Sequence, residues 1–166
     1  MCPCSPRVPV RWRRSDVSVT IKGSGLSGAT VVKAAQALPQ NATATLFTVS
    51  GGAVLIHAIA GLVTTALGAT VTSLALGNTP TGGANSSASI ATSAVVTSKA
   101  LGTWYVPSFA SGIAGAPIQA NAVNFDRSFA ILVPAGAITW TTTASDTGGM
   151  AWYLNYTPLD SGASVG

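Results

Sequence analysis

Glutamate is absent from this 166-residue chain, and charge of either sign is scarce: eight Lys and Arg, four Asp and a single His. Charged residues make up 7% of the sequence, against roughly a quarter in ordinary soluble domains. That shortage argues against charged amphipathic helices and for strands with hydroxyl-covered faces. The lone histidine, His57, sits in the apolar run AVLIHAIAGLV. Triad hydrolysis needs a base beside a nucleophile and a third group to orient that base. An isolated imidazole among aliphatic side chains reads instead as a buried, hydrogen-bonded residue. No G-x-S-x-G elbow is present, since Gly25-Leu26-Ser27-Gly28-Ala29 fails at its last position. Cys2 and Cys4 are the only cysteines, too few ligands for a structural zinc site, and the remaining chain can hold no disulfide framework. GSGLSG (23–28) lacks the Lys-Ser/Thr ending of a phosphate loop and the spacing of a dinucleotide fingerprint. No metal or cofactor is expected.

Carboxylates are equally thin on the ground. Glycoside hydrolysis needs two across one site, and the four here are scattered: Asp16 beside the arginines, Asp126 next to Arg127 as a local ion pair, Asp146 in a turn, and Asp160 near the C-terminus. Three sequons, at Asn41, Asn85 and Asn155, are what chance supplies in a chain this rich in Ser and Thr. The sequence carries no credible catalytic constellation, so a non-enzymatic role is expected.

What charge there is lies at one end. Residues 1–33 contain Arg7, Arg11, Arg13, Arg14, Lys22 and Lys33 against Asp16, whereas residues 34–98 contain no charged side chain. The chain reads as a basic extended arm and linker, 1–33, joined to a nearly neutral body, 34–166. MCPCSPRVPVRWRRS has no apolar stretch behind its arginines and does not read as a secretory signal. It is an extended arm, or residues added by an upstream start codon. Arg7, Arg11, Arg13 and Arg14 with Trp12 admit three readings: a solvated tail, a phosphate-neutralising and base-stacking patch, or an arm that docks on an acidic protein surface. Docking is preferred to nucleic acid, because the body supplies no second basic patch.

Period-two patterning dominates the rest. Asp16–Lys22 alternates as a strand, and Val31–Leu38 is a short segment closed by Pro39. Thr-rich Ala42–Val49, the long run Ala53–Ala66 with Gly61 as its bulge or kink, Thr70–Leu76, Ser89–Thr97, Gly102–Val106 and Arg127–Val133 follow. Gly77–Ser87 and Pro107–Asn124 read as loops. The C-terminal stretch GAITWTTTASDTGGMAWYLNYTPLD, 136–160, is the most strongly patterned, with Ile138 and Trp140 on one side of the turn and Trp152, Leu154 and Tyr156 on the other. It is expected to be a hairpin forming one wall of the core. Eight or nine short strands at this spacing predict an all-β, antiparallel β-sandwich or jelly-roll-like body. One rival is a membrane span over Ala53–Gly77, 25 uncharged residues. Its threonines and glycines and its lack of flanking Lys or Arg speak against it.

A body so poor in charge leaves strand edges and apolar patches unprotected, and burial among copies of itself is the economical remedy. Here a resemblance enters. ALPQNATATLFTVSGGAVLIHAIAGLVTTALG, then GTWY, then PAGAITWTTTASDTGGMAWYLNYTPLDSGASV resembles, in motif order from Ala37 to Val165, a family of small tailed-bacteriophage virion proteins. The resemblance implies a β-sandwich at the capsid or head surface of the virion, made in the host cytoplasm and acting as a capsid decoration or minor head protein, with no catalytic residues. It further implies a homo-oligomer, a trimer on local threefold axes. Residues 1–33 fall outside the resemblance; from their own charge, Arg7, Arg11, Arg13 and Arg14 with Trp12 are expected to dock on the major capsid protein. Deleting residues 1–33 is then expected to leave a folded oligomer that no longer binds capsids. Two other readings stay open. One is a tail-tip receptor- or carbohydrate-binding module stacking sugars on exposed Trp104 and Tyr105. The other is a membrane-active protein built on Ala53–Gly77.

Overall fold

The computed structural model describes residues 28–81, 88–107, 116–118 and 130–166, with residues 92 and 116–118 described by their backbone alone. Among them there is no helix. Eleven strands run in chain order: β1 (Ala29–Ala37), β2 (Thr43–Ser50), β3 (Val54–Thr65), β4 (Ser73–Pro80), β5 (Ala88–Val95), β6 (Trp104–Val106), β7 (Ala116–Ile118), β8 (Ile131–Val133), β9 (Gly136–Thr142), β10 (Gly149–Pro158) and β11 (Ser164–Val165). One sheet has the order β1-β10-β3-β6-β7 with β8 also on β3, the other β11-β2-β9-β4-β5. Every pairing is antiparallel. The expected all-β sandwich is what forms. Setting aside β7, β8 and β11, the two sheets read 1-10-3-6 and 2-9-4-5, so chain neighbours occupy matching places in opposite sheets. That is the winding of a jelly roll.

Alternation decides which side chains enter the interior. In the first sheet Met150, Trp152, Leu154 and Tyr156 of β10 share a face with Val63, Gly61, Ile59 and Ile56 of β3, their register partners. In the second sheet Ile138 and Trp140 of β9 face inward beside Phe47 of β2 and Leu76 of β4. Trp140 and Trp152 meet edge-to-face across the interior, ring centroids 5.6 Å apart, and Tyr105 meets Trp152 at 5.8 Å. All three are 1% exposed or less. Burial raises the Tyr105 phenol above its ordinary value, because the phenolate would lose its water.

Several expectations need correction. The stretch 136–160 is not a hairpin: β9 and β10 never pair, and residues 143–148 arch from one sheet to the other. Alternation fixes the face a side chain occupies but not the strand lying alongside. The arch is held by its surroundings. Gln40 donates to the Asp146 carbonyl at 2.9 Å, Gly68 N–H to the Thr147 carbonyl at 3.2 Å, and the Thr142 hydroxyl to the Pro39 carbonyl. The arm–body boundary at 33/34 falls inside β1, whose residues Ala29–Lys33 pair with Tyr156–Trp152. Gly77–Pro80, read as loop, belongs to β4, paired with Ile138–Gly136 at its end. Asp16–Lys22, the linker 23–27, residues 82–87 of the first loop and most of 107–124 lie outside the described residues.

Gly61 is not a bulge either. The register shifts between β3 and β10 bracket His57 and Thr64 instead. A Cβ on Gly61 would stand 2.6 Å from Met150 Cε and 3.1 Å from the Trp152 ring. The glycine therefore makes room for the indole that lies over it. Gly61→Ala is expected to destabilise the fold by about 1–3 kcal/mol, as overpacking does, read as a lower urea midpoint with unchanged slope.

Candidate functional site

The sandwich presents two broad outer faces. On the second sheet the register puts Thr43 opposite Thr141 and Thr45 opposite Thr139, with Ala137, Ala75, Gly77 and Thr79 beside them. Thr43 and Thr141 hydroxyls are 2.7 Å apart. This is an uncharged hydroxyl and methyl surface.

The outer face of the first sheet is more apolar. Val32 of β1 stands opposite Tyr153 of β10, which stands opposite Ala60 of β3. Leu62 of β3 stands opposite Trp104 of β6. Tyr153 and Trp104 flank β3, and their rings meet at 5.5 Å, tilted by 48°, where Ala60 leaves space between them. Both rings are half-buried, Val32 is 59% exposed, and Leu132 near the other end of the sheet is 61% exposed.

Charge is almost missing from this picture: Lys33, Lys99, Asp146 and Asp160 are the only Lys, Arg, Asp or Glu among the described residues. Asp160 accepts from Ala53 N–H at 2.7 Å, and Gly52 leaves room for its side chain. Asp146 is 7% exposed and accepts from Thr147 N–H at 2.8 Å through Oδ1, while Oδ2 is buried without a partner. It borders an open hollow of about 290 Å³ with Gln40, Gly68, Thr70 and Thr147. Its other polar lining groups are the Gln40 amide and the hydroxyls of Thr70, Ser145 and Thr147, with no second carboxylate and no imidazole among them. No cluster of three or more His, Cys, Asp or Glu that could hold a metal occurs among the described residues.

No protein-family model, curated protein or solved structure matches this chain. The site must therefore be read from its own residues.

Arg7, Arg11, Trp12, Arg13 and Arg14, the expected docking arm, lie outside the described residues, as do Asp16 and the Asp126–Arg127 pair. His57 is half-buried and its Nε2 lies 2.8 Å from the Thr157 hydroxyl, the satisfied imidazole expected. Tyr105 is buried in the core and cannot stack on a ligand; only Trp104 of that pair reaches the surface. Its aromatic partner there is Tyr153, whose position opposite Trp152 in the alternation was the available signal. Asn155 is 5% exposed and donates to Thr30 Oγ1 at 3.1 Å, so its sequon is sealed in the sheet. Asn41 is exposed, and Asn85 lies outside the described residues. The stretch Ala53–Gly77 is divided between β3 and β4 in opposite sheets. No helix among the described residues is long and apolar enough to cross a membrane.

Proposed function

We propose that this protein is a non-enzymatic structural component of a tailed-bacteriophage virion, a capsid decoration or minor head protein that binds the capsid surface as a homo-oligomer. The observation that carries the reading is the body itself: a jelly-roll sandwich with four charged side chains among its described residues and two uncharged outer faces. A freestanding domain ordinarily spreads charge over about a quarter to a third of its surface. Faces so poor in charge suit burial against neighbouring copies and a capsid lattice. Jelly rolls recur in capsid proteins, which supports the reading by analogy of fold alone. In this proposal the body supplies contacts between copies. Arg7, Arg11, Arg13 and Arg14, with Trp12, pair with carboxylates of the major capsid protein. Exposed ion pairs contribute only about 0–1 kcal/mol each, so attachment relies on many repeats and weakens with salt.

A second reading draws on the Trp104–Tyr153 pair. Two half-exposed aromatic rings on a sheet face could stack on sugar rings in a tail-tip receptor-binding module. Imaging of antibody-labelled particles separates the two. Hundreds of copies spread over the head are expected; a handful at the tail tip would replace the decoration proposal with the glycan-binding one.

A further inference from the structure

We infer that the outer edge of β1, with which no described residue pairs, is a docking site for β1 of a second copy, the two strands running antiparallel about a twofold axis at Val31. The inference rests on the homo-oligomer reading above and specifies its interface.

β1 ends the first sheet, and no described residue pairs with its outer edge. Such an edge presents a row of backbone donors and acceptors that only another extended chain can satisfy in series. The other edges are poorer templates. β7 has three residues and β11 two. β5 is broken by two register shifts against β4, and β2 by one between Thr45 and Phe47. Shifts of this kind bend a strand out of a regular ladder. β1 also shifts register once, between Lys33 and Gln36, but that shift lies beyond the five residues Ala29–Lys33, which keep unbroken register.

The chemistry of β1 favours a copy of itself. Its side chains are small or apolar apart from Lys33 and Gln36. A second β1 is already extended by its pairing with β10, so docking orders little new chain, whereas a disordered peptide would have to be ordered on binding. Lys33 sets the register. An axis at Lys33 would place two ammonium groups opposite each other, which is unfavourable. An axis at Val31 places Lys33 opposite Ala29 of the second copy and Thr30 opposite its Val32, and it uses the whole regular run. Thr30 and Val32 lie on the outer face with Tyr153 and Asn155, their partners in β10, so the uncharged outer face would continue from one copy into the next. The contact is isologous and closes at two copies, giving an even-order assembly in place of the expected trimer.

The test uses the full chain carrying Cys2→Ser and Cys4→Ser, so that only introduced thiols react. Thr30→Cys and Val32→Cys are exposed positions that should leave the fold intact. Under mild oxidation they are expected to cross-link when the two variants are mixed and not when either is alone, because residues directly opposite in an antiparallel pair lie within disulfide reach. Native mass measurements should show a concentration-dependent dimer that Val32→Lys weakens about tenfold or more. Amides 29–33 should gain hydrogen-exchange protection as protein concentration rises. An oligomer whose mixed variants do not cross-link would place the contact elsewhere and overturn the inference, as would a monomer at all concentrations. Protection of residues 29–33 independent of concentration would also overturn it, by showing that the chain covers its own edge. All these readouts are made on free protein, so a failed twofold contact is distinguishable from a failed virion assignment, which is decided on particles.

Discussion

Trp152→Ala is expected to cost about 3–5 kcal/mol, a large share of the roughly 5–15 kcal/mol by which domains of this kind are stable. Trp152 is fully buried in β10, the strand between β1 and β3, where its indole lies over Gly61. It also touches Trp140 and Tyr105 edge-to-face, contacts worth about 0.5–1.5 kcal/mol each beyond burial. Removing it opens a void that rigid strands on either side cannot close. Urea unfolding followed by circular dichroism should show a much lower midpoint. Trp140→Ala should act similarly, and the double variant should cost less than the sum of the two, because each single change already forfeits their mutual contact. Neutral behaviour at both positions would place the core elsewhere.

Two truncations should behave very differently. Removing residues 1–27 is expected to leave the fold intact, since every hydrophobic side chain of the described core lies at or beyond Val31. Removing residues 1–33 strips Ala29–Lys33 from β1 and uncovers the flank of β10. The loss of Val31 packing and several ladder hydrogen bonds, offset by regained chain entropy, should destabilise by about 2–4 kcal/mol. The longer deletion is therefore expected to aggregate or unfold at lower denaturant, correcting the expectation that it leaves a folded oligomer. The proposed attachment to capsids is properly tested with the shorter one, which removes the arm's arginines and Trp12 while leaving β1 whole. Equal stability of the two proteins would show that Ala29–Lys33 contribute nothing to the sheet.

Much of the architecture could be read from residue order, and the failures share one cause. Alternation alone assigns Trp140, Trp152, Leu154 and Tyr156 to the interior, and all are buried. Partner choice was beyond reach, because period two is the same whether a strand pairs with its chain neighbour or faces it across a core. Hence the arch between β9 and β10 has the residue pattern of a hairpin. Gly61 failed for a related reason: a glycine in a strand signals either a bulge or a close approach, and only the position of Trp152 tells which. β1 was divided because a change in charge density between 33 and 34 coincided with no change in backbone conformation. At the surface, GTWY announced aromatic residues, but the register was needed to send Tyr105 inward and to bring Trp104 to Tyr153. The hollow at Asp146 joins residues from three loops far apart in sequence, a convergence that no local pattern contains.

The order of strands within the sheets also governs when this chain can fold. β1 and β3 do not pair with each other; each pairs with β10, which ends at Pro158. β2 and β4 stand in the same relation to β9. During synthesis β1 to β4 thus emerge before the strands that stand between them, and neither sheet can close until β9 and β10 have left the ribosome. Closing such long-range pairings is slow, on the order of milliseconds to seconds for small all-β domains. Until then the apolar run of β3 lacks β10, its longest partner, because β6 and β8 pair with only its two ends, and the yield depends on the interval between completing β3 and delivering β10.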